Sequence, residues 1–258
     1  MLEYFQHDER PGKPLALAHR GFSLDGLENS LAAFRAAAEL GFVHLETDVH
    51  TTADGVLLVF HDQTLDRVTD STGKISELTA AEVSQARIGG IEPVPTLVEL
   101  LEAVPNAKLN LDVKDSGSVE TLAALIEEHG LHHRVLVASF SDKRRRAVLK
   151  RLSRRTASSG GMLTTAVFVL FGGLLPDRML RRILRDVDVF QVPRNYGRLK
   201  VVTAARVARA HRLDVQIHVW TINDAPTMHK LLDLGVDGIV SDRADILREV
   251  LEARGDWL

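Results

Sequence analysis

The sequence predicts an α/β protein, a (β/α)8 barrel formed by residues 1–258 as one domain, with a small insertion at about 62–95. Three observations predict it. Short β-branched or apolar runs alternate with helical patterns along the whole chain, the pattern of βαβ units and a largely parallel sheet. About eight such units fit 258 residues, a length that α/β barrels commonly reach as one unit. The first strand leads into His19-Arg20-Gly21 and not into a glycine-rich phosphate loop, which favours a closed barrel over an open doubly wound sheet.

Taken in order, the strands are expected at 15–19 (LALAH), 43–49 (VHLETDV), 56–60 (VLLVF), 108–113 (KLNLDV), 135–139 (VLVAS), 188–192 (DVFQV), 215–220 (VQIHVW) and 238–241 (GIVS). Helices are expected at 30–40, 96–103, 119–129, 142–152, 201–211, 225–234 and 243–253. Asn29 is placed to cap the first helix, and Asp224 with Pro226 opens a late one. Gly41, Gly130 and Gly235 stand where helices should stop. Asp54-Gly55 reads as a tight turn between two strands. The stretch 62–95 is less regular, hence the insertion.

Composition narrows the function. Hydrophobic residues make up 45% and charged residues 26%, enough for a sizeable core. A net charge of −3 argues against a general nucleic-acid binder, which needs a basic excess to meet phosphates. The absence of cysteine excludes disulfides, thiolate zinc sites and cysteine nucleophiles, so any metal is held by oxygen or imidazole. The opening MLEYFQHDERPGKP is charged and unlike a secretory signal, and no apolar run reaches the roughly 18 residues of a membrane span. The expected location is cytoplasmic. Oligomeric state stays open.

Alternate side chains of a strand face opposite sides. In 43–49, His44, Glu46 and Asp48 oppose Val43, Leu45, Thr47 and Val49; in 108–114, Asn110, Asp112 and Lys114 oppose Leu109, Leu111 and Val113. In 215–220, Gln216, His218 and Trp220 oppose Val215, Ile217 and Val219. The apolar sets suit the surrounding helices, so the polar sets point inward. A barrel interior is ordinarily apolar, and barrel active sites lie at the C-terminal ends of the strands. Carboxylates gathered there repel one another unless a counter-charge is present; a divalent cation supplies one. The competing reading is that Glu46 and Asp48 form buried ion pairs with Arg20 or Lys114.

The motifs run in order: His19-Arg20-Gly21, Glu28-Asn29-Ser30, Glu46-Thr47-Asp48, Thr52-Ala53-Asp54-Gly55, His61-Asp62, Pro95-Thr96-Leu97, Leu111-Asp112-Val113-Lys114, Trp220-Thr221-Ile222-Asn223, Gly235-Val236-Asp237-Gly238 and Ser241-Asp242. This series, spanning about 16–246, closely resembles the glycerophosphodiester phosphodiesterase family, relatives of the phosphatidylinositol-specific phospholipases C. The resemblance implies a TIM-type barrel of glycerol and lipid metabolism that hydrolyses small glycerophosphodiesters to glycerol 3-phosphate and an alcohol. It implies one divalent cation, Mg²⁺ or Ca²⁺, with Mn²⁺ also allowed. By position, the family's catalytic histidines fall on His19 and His61, its metal carboxylates on Glu46, Asp48 and Asp112, and its phosphate-contacting bases on Arg20 and Lys114. The family usually carries Glu at the position of Asp112. The shorter side chain loses one C–C bond of reach, roughly 1.5 Å.

An oxygen-rich ligand set suits magnesium, calcium or manganese better than copper or zinc. Two histidines near their usual pKa of about 6.5 can take and give protons near neutrality; which of them is the acid is open. The likeness to phospholipase C suggests attack by the substrate's own hydroxyl through a cyclic phosphate. Trp220 is expected to wall the substrate, with a core ring as the alternative, and His218 is a candidate substrate contact. His44 and His50 read as structural, and Gly235 and Gly238 as turn and cap residues.

The apolar segment 162–175, MLTTAVFVLFGGLL, is too short to span a bilayer. Its plainer reading is a barrel strand with solvated helix faces. The sharper reading is an apolar lip between arginine-rich flanks that makes peripheral membrane contact, in a lysophospholipase D. A non-catalytic barrel binding phosphorylated ligands is the remaining alternative. An amidohydrolase-type metal site would want His-x-His where His19-Arg20-Gly21 stands.

Overall fold

The structure is a computed structural model that describes residues 2–6 and 12–257. Of the charged N-terminal stretch, residues 1 and 7–11 lie outside the described residues, as does 258. In chain order the strands are β1 (Leu15–His19), β2 (His44–Thr51), β3 (Leu57–Val59), β4 (Arg87–Ile88), β5 (Glu92–Pro93), β6 (Lys108–Val113), β7 (Val135–Ala138), β8 (Ala157–Ser158), β9 (Val189–Pro193), β10 (Asn195–Tyr196), β11 (Leu199–Lys200), β12 (Gln216–Trp220) and β13 (Gly238–Ser241). The helices are α1 (Leu31–Glu39), α2 (Ala80–Val83), α3 (Leu97–Ala103), α4 (Ser118–Glu128), α5 (Asp142–Leu149), α6 (Met162–Phe171), α7 (Asp177–Ile183), α8 (Ala204–His211), α9 (Ala225–Asp233) and α10 (Ala244–Ala253).

Eight parallel strands follow the order β8-β7-β6-β2-β1-β13-β12-β9, and a parallel bridge between Ser159 and Val189 joins the two ends. The barrel is thus nearly closed. Strand parity sorts the side chains as expected. Leu45, Val49, Leu109, Leu111 and Val113 pack outward with the helices. Leu15, Leu17, Leu136, Ala138, Ala157, Val189 and Val240 fill the barrel interior. Tyr4 and Phe5 of a short 3-10 turn complete that inner cluster, and Lys108 Nζ holds the turn by donating to the carbonyls of Glu3 (2.7 Å) and Gln6 (2.5 Å).

The set of eight strands differs from the expected one. The run at 56–60 forms β3, which pairs antiparallel with β2 and stands outside the barrel path. The Asp54-Gly55 turn explains this, since a tight hairpin joins only antiparallel neighbours. The eighth barrel strand is β8, two residues long. Residues 162–171 of the segment 162–175, whose plainer reading is a barrel strand, form α6; a short apolar run does not by its pattern distinguish buried strand from helix. Asp142 accepts from Gly161 N and Thr164 N at the start of α6, and Arg206 and Arg209 donate to carbonyls of Val169 and Gly172 at its end, charges that suit the helix dipole.

Three capping details are settled. Ser30, not Asn29, caps α1 by accepting from Ala33 N at 3.1 Å; Asn29 instead takes a positive φ of 61° and accepts from Thr47. Asp224 does cap α9, and Thr96 and Glu99 form a capping box on α3. The insertion carries α2, the β4–β5 hairpin and its own small core of Leu58, Phe60, Leu65, Ile75, Val83, Ala86, Ile88 and Val94.

Candidate active site

Register brings the acidic residues together. Asp48 on β2 is opposite Asp112 on β6, and His19 at the end of β1 is opposite Glu46. All three carboxylates are buried. Arg20 follows with a positive φ of 56° and Gly21 with 84°. Gly21 has no substitute here: a Cβ would sit 2.7 Å from the backbone of Ala33. This turn directs Arg20 back over the strand ends, where Nε lies 3.3 Å from Asp48 Oδ2 and NH1 donates to Glu28 at 2.8 Å. Non-glycine residues in this region cluster at functional sites.

Lys114 stands between Asp48 and Asp112, 2.8 Å from each, with its ammonium 5.6 Å from the ring centre of Phe140. So Asp48 is ion-paired as the competing reading expects. Three carboxylates nevertheless face two cations, one of which is shared with Glu28. Glu46 Oε2, Asp48 Oδ2 and Asp112 Oδ1 are buried and accept no hydrogen bond among the described residues. Burial and the charge of Asp48 push the Glu46 carboxyl up to about 7. Burial likewise raises Asp112, although Lys114 opposes it. Hard oxygen atoms that accept no hydrogen bond are what a divalent cation takes. Among the described residues no three His, Asp or Glu groups are already drawn close enough to hold one, since Lys114 fills the space between two of them.

Each histidine has a carboxylate behind it. His19 Nδ1 donates to Asp242 Oδ1 at 2.5 Å, and its Nε2 lies 3.7 Å from Glu46 Oε2. Burial alone would lower the His19 pKa, but Glu46 and Asp242 outweigh it and raise the value. Asp242 is fixed in turn by Asn223, whose Nδ2 donates to Oδ2 at 2.8 Å. His61 Nδ1 donates to Asp62 Oδ1 at 2.5 Å. Asp62 accepts from Arg67, which also donates to Glu28. Burial opposes ionisation of Asp62, yet Arg67 and His61 hold it down to about 2. The chain His61–Asp62–Arg67–Glu28–Arg20–Asp48 thereby ties the far histidine to the carboxylates.

Trp220 is partly exposed and meets Phe140 edge-on at 6.0 Å. His218 is not brought to this cluster. It pairs in register with Gly238, the level at which β1 begins; it is fully buried, bonds Gln216 at 3.0 Å and touches Phe5. Burial pushes its pKa down to about 3. The expected substrate contact is therefore a floor residue, because inward parity alone does not tell the height of a residue in the barrel. His44 bonds the Tyr4 carbonyl and His50 bonds Asp115, both structural as expected. Sequence reasoning gave no role to Asp62, Arg67, Glu28, Asn223 or Asp242. Asp242 was findable, since it stands just past the C-terminal end of a barrel strand.

The glycerophosphoryl diester phosphodiesterase family matches residues 19–246. A probable glycerophosphodiester phosphodiesterase 2 of Mycobacterium tuberculosis is 40% identical, covering 99% of this chain and 96% of its own. A human lysophospholipase D is 25% identical, over 91% of this chain and 85% of its own. Among solved structures, an Oleispira antarctica phosphodiesterase in complex with its product sn-glycerol-3-phosphate superposes with a TM-score of 0.76 at 25% identity, covering 93% of this chain and 97% of that one.

Proposed function

The chain belongs to the glycerophosphoryl diester phosphodiesterase family and hydrolyses glycerophosphodiesters, and we propose that it does so at the mouth formed by β1, β2 and β6. The observation that carries this reading is the set of buried carboxylate oxygens that accept no hydrogen bond, together with the two histidine–carboxylate pairs.

Phosphodiester hydrolysis needs the phosphate charge neutralised, a nucleophile deprotonated and the leaving oxygen protonated. Arg20 and Lys114 face the phosphate and take up charge as it develops. Glu46, Asp48 and Asp112 would hold a divalent cation, magnesium, calcium or manganese, which would acidify a hydroxyl or water and offset phosphate charge. Lys114, 2.8 Å from Asp48 and from Asp112, would share its charge between these carboxylates and the phosphate. His19 and His61 move the protons at Nε2, since Nδ1 of each is committed to Asp242 or Asp62. That commitment fixes the tautomer of each neutral ring. The substrate is a small glycerophosphodiester, released as glycerol 3-phosphate and an alcohol.

The test is hydrolysis of glycerophosphocholine and glycerophosphoethanolamine by protein stripped with EDTA and then given Mg²⁺, Ca²⁺ or Mn²⁺, with glycerol 3-phosphate quantified. Product that depends on the added cation is expected. Full activity in the stripped protein removes the cation from the reading, and no product under any condition removes the reading.

A further inference from the structure

Several of the arginines around 162–175 are engaged within the protein. Arg145 is fully buried, and Arg146, Arg151, Arg155 and Arg181 pair with Asp186, Glu120, Asp188 and Asp214. Only the beginning of that segment lies at the active-site end of the barrel. There it joins other exposed apolar side chains carried on consecutive loops, which together form an arc. Phe140 follows β7 and is 53% exposed, Met162 and Leu163 follow β8 at 64% and 73%, and Tyr196 and Leu199 follow β9 at 77% and 39%. These strands are consecutive around the barrel, β7 pairing with β8 and β8 meeting β9 through the Ser159–Val189 bridge. The arc therefore stands on the same rim as Asp48 and Asp112, one strand away from β6.

The arc is built rigidly. Met162 N donates to the Phe140 carbonyl at 2.8 Å, tying the two loops. Asp142 accepts from Thr164 Oγ1 at 2.6 Å and fixes the start of α6 with Leu163 pointing to solvent. Tyr196 and Leu199 are direct cross-strand partners in the β10–β11 hairpin, so they share one face. Gly197, with φ +57°, makes the tight turn between them. Ordered, exposed aromatic and aliphatic side chains gathered on one rim mark an interaction surface.

Charge selects the partner. The hairpin carries Arg194, Arg198 and Lys200, all exposed, and no acidic residue occurs between Val189 and Thr203. The loop and helix from Ser159 to Pro176 hold no acidic residue either. Apolar tips flanked by the exposed basic side chains of Arg198 and Lys200 match a negatively charged lipid surface, where the tips enter the acyl boundary and the bases meet headgroups. We propose that the rim formed by the loops after β7, β8 and β9 docks on anionic bilayers and so presents the neighbouring catalytic mouth to phosphodiesters at the membrane. The docking stands on this surface alone; its consequence for substrate rests on the hydrolysis proposed above.

The test is co-sedimentation of the full chain with vesicles of phosphatidylcholine alone and of phosphatidylcholine with phosphatidylglycerol, at low and high salt. Two double variants accompany it, L163S/Y196S and R198A/K200A, both outside the catalytic mouth. Binding to the anionic vesicles that falls at high salt is expected, with each double variant lowering partition by at least ~10-fold. Glycerophosphocholine hydrolysis should be unchanged in both, so a failure of catalysis is read separately from a failure of docking. No binding to anionic vesicles, equal binding to neutral ones, or binding that both variants retain overturns the proposal.

Discussion

Nδ1 of His19, at the end of β1, lies 2.5 Å from Oδ1 of Asp242, at the end of the adjacent β13. The carboxylate holds the ring so that Nε2 faces the mouth, and Asn223 holds the carboxylate. Asp242→Asn removes the charge and offers the ring an amide that can turn either end toward it. We expect kcat to fall by at least ~10-fold, because the ring loses the carboxylate that fixes its tautomer and orientation, with KM little changed and circular dichroism unaltered. A kcat within twofold of the parent would mean that other contacts orient His19.

The two histidines themselves carry larger effects. His19→Ala and His61→Ala should each lower turnover by at least ~100-fold, the lower end of general acid–base contributions. Thermal melts should match the parent, because neither side chain fills the core. Steady-state kinetics on glycerophosphocholine decide the point, and near-normal turnover in either variant removes that residue from proton transfer.

Arg67 joins Asp62 and Glu28, donating to Oδ2 of the first at 2.5 Å and to Oε1 of the second at 2.7 Å. It thus connects the carboxylate behind His61 with the one behind Arg20. It is 48% exposed at the side chain, so its contribution to stability is small. Arg67→Ala should leave the melting temperature within a degree or two while lowering kcat about tenfold, and Arg67→Lys, which cannot reach both carboxylates in the same fork geometry, should recover little. Full rescue by lysine would show that charge alone matters there.

Much of this arrangement was legible in the sequence because barrel strands encode two things at once. Period-two alternation sorted Glu46, Asp48 and Asp112 inward while Leu45, Leu109 and Leu111 packed outward. The same alternation said nothing of height, so His218 and Asp112 read alike although one lies in the floor and the other at the mouth. The strand β8 escaped because its two residues, Ala157 and Ser158, make no apolar run; Ser158 faces the buried guanidinium of Arg145 at 2.9 Å instead of a hydrophobic layer. Asp62, Arg67 and Glu28 act together only through folding of the insertion, which brings Arg67 to a residue 39 positions away. Leu163 lies in the apolar run 162–175 that the sequence marks, whereas its company with Phe140 and Tyr196 depends on strand adjacency and has no linear signal.

Asp112 gives a direct way to weigh the cation. Its Oδ1 is buried without a partner and its Oδ2 is 2.8 Å from Lys114. Asp112→Asn removes the charge a cation needs and should reduce activity by at least ~100-fold at any cation concentration. Asp112→Glu adds a methylene, roughly 1.5 Å of reach, and should lower the cation concentration for half-maximal activity several-fold. Titration of stripped protein by calorimetry checks both variants. Parent-like cation binding in Asp112→Asn would place the ion elsewhere.

Asp142 tests the scaffold under the rim through pH. It accepts from Thr164 Oγ1 (2.6 Å), Thr164 N (3.0 Å) and Gly161 N (3.2 Å). Burial would raise its pKa, but these donors and Arg145 outweigh it and hold the value below the ordinary one. A carboxyl whose pKa is depressed on folding stabilises the protein fully above its unfolded pKa, about 3.9, and loses that contribution as pH falls through the folded value. Asp142→Asn should therefore cost about 2 kcal/mol at pH 6, as hydrogen bonds to a charged group commonly do. The gap between variant and parent should narrow as the pH drops below 3.9. Urea unfolding of both proteins from pH 6 to pH 3 measures it; a gap that stays constant over that range would mean that shape, not charge, secures the start of α6.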